Sequence, residues 1–138
     1  MSLDNGQATP LRILLVDDFV EWRTRARQVL ERHPHWKVVG EARDGLEGVL
    51  KAAQFQPDVV ILDIGLPGRN GIQAAREIRR KCPQIKVIFL SQETDRDIIN
   101  AALEVGGAAF VPKYQACDLV RAIAAILQAA PAPFPSAD

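Results

Sequence analysis

Five short apolar runs recur along the chain, at residues 13–16, 38–39, 59–62, 87–90 and 108–111. Most are continuous rather than alternating, the pattern of strands buried on both faces of a parallel sheet. Stretches with helical spacing lie between them. The first predicted helix covers about 21–32, with Trp22, Ala26, Val29 and Leu30 on one face. The second starts at a capping box, Asp44 with Glu47, and carries Leu46, Val49, Leu50 and Ala53 at helical intervals. The third opens at Asn70 or Gly71, carries Ile72, Ala75 and Ile78, and stops near Cys82, because Pro83 disfavours helical geometry in the residue before it. The fourth takes Thr94 as N-cap with Asp97 three residues on. It runs through Ile98, Ala101, Ala102 and Val105 to the stop signals Gly106 and Gly107. The fifth carries Leu119, Val120, Ile123, Ile126 and Leu127. Strand and helix alternating in this way predict an open α/β sheet with helices on both faces, and right-handed crossovers leave few topologies.

Composition changes this picture little. The chain has 138 residues, 48% hydrophobic and 25% charged, which suits one ordinary globular domain with a core of its own. Lys plus Arg and Asp plus Glu are both 17. That balance argues against a chain whose main task is holding a polyanion, although a local basic patch is compatible with it. No apolar run is long enough for a transmembrane helix and no signal peptide is evident, so the expectation is a cytoplasmic protein without membrane contact. Cys82 and Cys117 are lone and far apart, as in a reduced compartment. Residues 1–10 read as a disordered segment or expression scar, 11–129 as the domain, and 130–138 as a tail or truncated linker containing Pro131, Pro133 and Pro135.

Candidate chemistry collects where the strands end. In an open parallel sheet, ligands bind at the carboxyl ends of the strands. Asp17 and Asp18 follow the first strand, Asp63 ends the third, Ser91 follows the fourth, and Lys113 follows the fifth after Pro112. Any one of these alone is more often a cap, a solvated end or a surface charge. Their joint placement, each after a separate buried run, is what carries weight. Three carboxylates packed together repel and resist ionising side by side. A hard divalent cation resolves that conflict, and magnesium suits a few carboxylates, waters and a phosphate oxygen. No His or Cys stands at these positions, which speaks against zinc. With the metal present, one carboxylate can attack a phosphoryl donor and hold the product as an acyl phosphate. Positioning and charge neutralisation then supply most of the catalysis.

The segments Leu14-Leu15-Val16-Asp17-Asp18, Val60-Ile61-Leu62-Asp63-Ile64-Gly65-Leu66-Pro67-Gly68-Arg69-Asn70-Gly71, Phe89-Leu90-Ser91 and Ala109-Phe110-Val111-Pro112-Lys113 resemble the signature of response-regulator receiver domains, and most closely those of the NarL/LuxR type. The likeness covers residues 11–128 and implies a flavodoxin-like (βα)5 doubly wound sheet, strand order 2-1-3-4-5. It also implies roles. Asp63 is the phosphorylation site. Mg²⁺ is held by Asp18 directly, by Asp17 largely through water, by Asp63, and by the main-chain oxygen of Gly65. Ser91 and Lys113 bind the phosphoryl group, and Ser91 with Phe110 forms the switch. The resemblance further implies a histidine kinase or phosphotransfer protein as partner, and a homodimer through the surface of the fourth helix, fifth strand and fifth helix. That surface would change shape on phosphorylation and control an output, transcription through a DNA-binding domain outside this chain.

Departures from the family pattern bear on those roles. Ser91 stands where many members have Thr. Tyr114 follows Lys113 where Pro is common, so a cis peptide there would be costly. Gly65 and Glu93 occupy positions that in the family tune loss of the phosphoryl group. Two further readings compete with the switch. A metal-dependent phosphatase would want a second acid where Gly65 stands, and also a substrate cap. A pseudo-receiver that never turns over is disfavoured by retention of all five polar residues. The chain is therefore expected to be no enzyme beyond its own phosphorylation and dephosphorylation, and to make no direct contact with DNA, since it lacks a recognition helix. It is expected to be either a stand-alone receiver or the front of a longer regulator.

Overall fold

The computed structural model describes residues 10–66, 70–91, 96–106, 109–113 and 116–129, with the side chains of Ser91, Leu103, Ala116, Cys117, Gln128 and Ala129 outside the description. The elements run β1 (Leu11–Val16), α1 (Val20–Leu30), β2 (Trp36–Ala42), α2 (Gly45–Phe55), β3 (Val59–Asp63), α3 (Gly71–Lys81), β4 (Lys86–Ser91), α4 (Arg96–Glu104), β5 (Ala109–Pro112) and α5 (Ala116–Ala129). The strands are parallel and stand in the order β2-β1-β3-β4-β5, the flavodoxin-like order 2-1-3-4-5.

Period-two geometry splits the continuous apolar runs between two cores. Leu14, Val16, Val60, Leu62, Val87 and Phe89 face one way, against Val49 and Ala52 of α2, Ala74, Ala75 and Ile78 of α3, and Ala102 of α4. Ile13, Leu15, Val59, Ile61, Ile88 and Leu90 face the other way, against Ala26 and Leu30 of α1 and Leu119 and Ile123 of α5. A slip of one residue in any central strand would exchange these faces, so burial on both sides fixes the register.

Helix boundaries follow local chemistry. Asn70 caps α3 through a full capping box: its side chain accepts from the Gln73 N–H at 2.9 Å, and Gln73 reaches back to the Asn70 N–H at 3.4 Å. α3 stops one residue short of Cys82. Gly106, just past α4, has φ +99°, a conformation that favours glycine. Thr94, Gly107 and Ala108 lie outside the described residues, as do the segments 1–9 and 130–138.

The structure corrects several expectations. α1 spans Val20–Leu30 rather than 21–32, and Phe19 at its N-cap makes no side-chain capping bond. The Asp44–Glu47 box is half formed. Asp44 accepts from the Glu47 N–H at 2.8 Å, but the Glu47 carboxylate takes the N–H of Arg43 instead of that of Asp44. β2 is longer than the pair Val38 and Val39. It includes a bulge, since Ile13 pairs with Val38 and Leu14 with Gly40, which leaves Val39 unpaired. The largest correction concerns α2. Gly45, Gly48, Val49 and Ala52 are buried, whereas Leu46 and Leu50 are 55% and 60% exposed and Ala53 is exposed. The helix lies so close to β1 that a Cβ on Gly48 would stand 3.0 Å from the Val16 side chain. Close approach selects the small residues for the inner face and turns the leucines outward.

Candidate functional site

Parallel register builds the site. Val16 pairs with Leu62, so the next residues, Asp17 and Asp63, emerge side by side at the carboxyl ends of β1 and β3. Asp63 pairs with Leu90, and Ser91 ends β4 opposite Pro112 of β5, with Lys113 one residue further on. The loop after β3 is drawn tight against α3. A Cβ on Gly71 would stand 2.2 Å from the Asp63 main-chain oxygen, so only glycine allows the helix to begin there.

Asp17, Asp63 and Lys113 are buried, and Asp18 is exposed. The Lys113 ammonium lies 2.9 Å from Asp17 Oδ2 and 3.0 Å from Asp63 Oδ2, bridging the two acids. Asp63 Oδ1 accepts the Gly65 N–H at 2.9 Å, and Asp17 Oδ1 accepts the Phe19 N–H at 2.8 Å. Asp17 Oδ2 meets the ammonium as an ion pair but has no aligned hydrogen-bond partner, although it is fully buried. Carboxylate oxygens of Asp17, Asp18 and Asp63 lie within 4.8 Å of one another. This set of hard oxygen donors fits a cation. Among the described residues one ammonium bridges two of these three acids, and a buried oxygen is left with unused acceptor capacity.

The electrostatics carry the same imbalance. Burial pushes the Asp17 carboxyl above its usual range and the Asp63 charge adds to this, against the pull of the Phe19 N–H and Lys113. Burial works against the Lys113 ammonium too, yet the two carboxylates outweigh it and raise its pKa. Among the described residues, three carboxylates thus gather around one paired ammonium.

Among the predicted residues, the fold thus brings Asp17, Asp18, Asp63 and Lys113 together. Gly65 contributes its N–H to Asp63, and a Cβ at Gly65 would stand 3.8 Å from Asp63 Oδ1, in ordinary contact. Phe110 is half-buried on β5 and packs against the core that contains Phe89 and Ala102. The Ser91 hydroxyl, Glu93 and the Lys113–Tyr114 peptide lie outside the described residues.

Two aromatic residues were missed by sequence reasoning. The Phe19 ring lies with its centroid 4.5 Å from the Lys113 ammonium, and the Trp22 indole N–H donates to the Lys113 main-chain oxygen at 3.0 Å. Phe19 stands directly after the acid pair, a signal of place if not of partner. Trp22 was legible only as core. Beside the site, Arg23 donates to the Asp17 carbonyl oxygen and to Glu41 at 2.8 Å, and Arg27 bonds the same Glu41 carboxylate at 2.8 Å and 3.0 Å.

These features are those of a receiver domain, and the chain belongs to that family: the model of the response regulator receiver domain matches residues 13–124. It is 34% identical over 122 residues to the transcriptional regulatory protein LiaR of Bacillus subtilis, covering 88% of this chain and 58% of that protein. It is 41% identical over 105 residues to a protein-glutamate methylesterase/protein-glutamine glutaminase of Alkalilimnicola ehrlichii, covering 75% of this chain and 27% of that one. A two-component response regulator of the LuxR family from Aurantimonas sp. SI85-9A1 superposes with a TM-score of 0.81 at 35% identity over 86% of both chains. The chain therefore spans less than two thirds of the length of these curated relatives. Receiver domains are signalling domains, and the two relatives carry different outputs. No helix among the described residues is long and apolar enough to cross a membrane.

Proposed function

We propose that the chain is a phosphoacceptor switch in which Asp63 takes a phosphoryl group from a histidine kinase or phosphotransfer protein. The observation that carries this reading is the Lys113 ammonium bridging buried Asp17 and Asp63 beside a three-carboxylate cluster. A carboxylate oxygen of Asp63 attacks phosphorus, the O–P bond forms, and the bond to the donor imidazole nitrogen breaks, leaving the electron pair on that nitrogen. Lys113, already within 3.0 Å of Asp63, stays with the charge that develops on the phosphoryl oxygens. Asp17, Asp18 and Asp63, with the main-chain oxygen of Gly65, would hold Mg²⁺. When bound, Mg²⁺ neutralises the acids and the incoming phosphoryl oxygens. The Gly65 N–H orients the Asp63 carboxylate.

Ser91 then bonds a phosphoryl oxygen, and Phe110 turns into the space it leaves. Half-burial of Phe110 at a core edge is compatible with two packings of the ring. The surface of α4, β5 and α5 changes with it and carries the output to a downstream domain or a second copy of the chain. Likeness to LiaR and to LuxR-family regulators favours transcription as that output, through a DNA-binding domain outside residues 1–138. In this reading the chain catalyses only its own phosphorylation and dephosphorylation.

Intact-protein mass after incubation with acetyl phosphate and Mg²⁺ tests the reading. A single Mg²⁺-dependent phosphate adduct is expected, absent in Asp63→Asn. An adduct that persists in that variant would move the acceptor elsewhere.

A further inference from the structure

Lys113 lies one residue beyond Pro112, the last paired position of β5, and β5 is a four-residue strand at the sheet edge. The ladder therefore does not fix the main chain from which the ammonium reaches Asp63. The Trp22 indole N–H, donated to the Lys113 carbonyl at 3.0 Å, links residues 91 positions apart and ties α1 to that point. The partly buried ring that carries this donor packs against the core formed with Ala26, Leu30 and Leu119, and that packing holds the donor. A phenylalanine or leucine would keep much of this apolar contact. Only the indole also supplies a fixed N–H, and the N–H of a partly buried indole favours a partner.

We propose that Trp22 is a positioning residue for the phosphoryl-binding lysine. By bonding the Lys113 carbonyl it sets the reach of the ammonium, while the Phe19 ring covers the ammonium from solvent. The geometry that must be kept is tight, because displacement by about 1 Å can cost a charged group much of its effect on a reacting centre. Trp22 touches neither Asp17 nor Asp18 in any hydrogen bond described, so its influence falls on the phosphoryl half of the site rather than on the cation half. This inference rests on the phosphoacceptor reading.

The test is calorimetric titration of the full chain and of Trp22→Phe, with Mg²⁺ alone and then with fluoroberyllate at saturating Mg²⁺. Loss of one net hydrogen bond predicts fluoroberyllate binding weakened about fivefold, with Mg²⁺ affinity within about twofold of wild type. Unchanged fluoroberyllate affinity, or equal weakening of both ligands, overturns the positioning role. A wild-type chain that binds Mg²⁺ but no fluoroberyllate would sink the phosphoacceptor reading beneath it, and this inference with it. A second measurement needs no variant. In wild type with ¹⁵N-labelled tryptophan, fluoroberyllate should shift the Trp22 indole resonance and leave that of Trp36, which stacks on His33 at 4.1 Å, in place. A Trp22 resonance that does not move would also overturn the proposal.

Discussion

Two charge clusters lie a few residues apart in this fold and are built on opposite terms. In one, Arg23 and Arg27 share the carboxylate of Glu41 at 2.8 Å each, partly open to solvent, and Arg27 also faces Glu31 at 3.7 Å. In the other, Lys113 is the one cation among the described residues that pairs with Asp17 and Asp63, both buried, with Asp18 beside them. Burial is the largest single influence on Glu41 and raises it, but the bonds and charges of the two guanidiniums together overcome it and hold the carboxyl below its usual range. At Asp17 burial wins and the carboxyl is raised. The first cluster is complete without help and braces β2 against α1. The second pairs its acids less fully, and under the proposed function part of the stability available at that sheet edge is given up for a place to receive a cation and a phosphoryl group. The two are joined by the Arg23 guanidinium, which also bonds the Asp17 carbonyl oxygen.

The sharpest way to break this comparison is to remove the scarce cation. Lys113→Met leaves two buried carboxylates uncompensated and should cost about 3 kcal/mol in urea melts at pH 7. Arg27, which is half-exposed and also faces Glu31 at 3.7 Å, should be far less costly to lose, with Arg27→Met at about 1 kcal/mol or less. If Arg27→Met cost as much as Lys113→Met, the two clusters would not differ as described.

Next in size is the response to Mg²⁺. At ten times its dissociation constant the ion should stabilise the chain by about 1.4 kcal/mol, a rise of a few degrees in Tm. Asp18→Ala should lose that rise along with acetyl phosphate labelling, while Glu41→Gln should keep both. A wild-type Tm unmoved by millimolar Mg²⁺ would count against a cation site.

A smaller effect separates the clusters by pH. The folded-state pKa of Glu41 is depressed, so its contribution is present above the unfolded value and is lost as pH falls through the lowered folded value. Glu41→Gln should therefore cost about 1 kcal/mol near pH 7 and progressively less in acid. Asp17 has the opposite sign. Its raised pKa means that folding grows less favourable as pH rises from the unfolded value through the folded one. A Glu41→Gln penalty that stayed constant down to acid pH would show packing rather than charge at work.

Smallest is the relief of repulsion at the exposed acid. Asp18→Asn in chelator should raise stability by up to about 0.5 kcal/mol, and a clear loss would place Asp18 in a structural role.

Much of the fold was legible in the chain because its signals are local. A strand buried on both faces must be a continuous apolar run, and the polar residue that ends it must emerge at the sheet edge, so Asp17, Asp63 and Lys113 could be placed before any geometry was known. Asn70 and Gly71 likewise marked the start of α3 through backbone requirements that a few neighbours set. Tertiary structure alone decided what depends on two distant segments meeting. The outer position of Leu46 and Leu50 follows from how closely Gly48 lets α2 approach Val16. The bridge from Lys113 to two acids, the Arg23–Glu41 pair and the indole N–H of Trp22 on the Lys113 carbonyl each need crossovers to set a distance to a few tenths of an ångström. Hydrophobic periodicity tells which face a residue turns inward. It holds no record of which polar atom waits there, and for that reason the sequence determined where the chemistry would be, and packing determined how it is held.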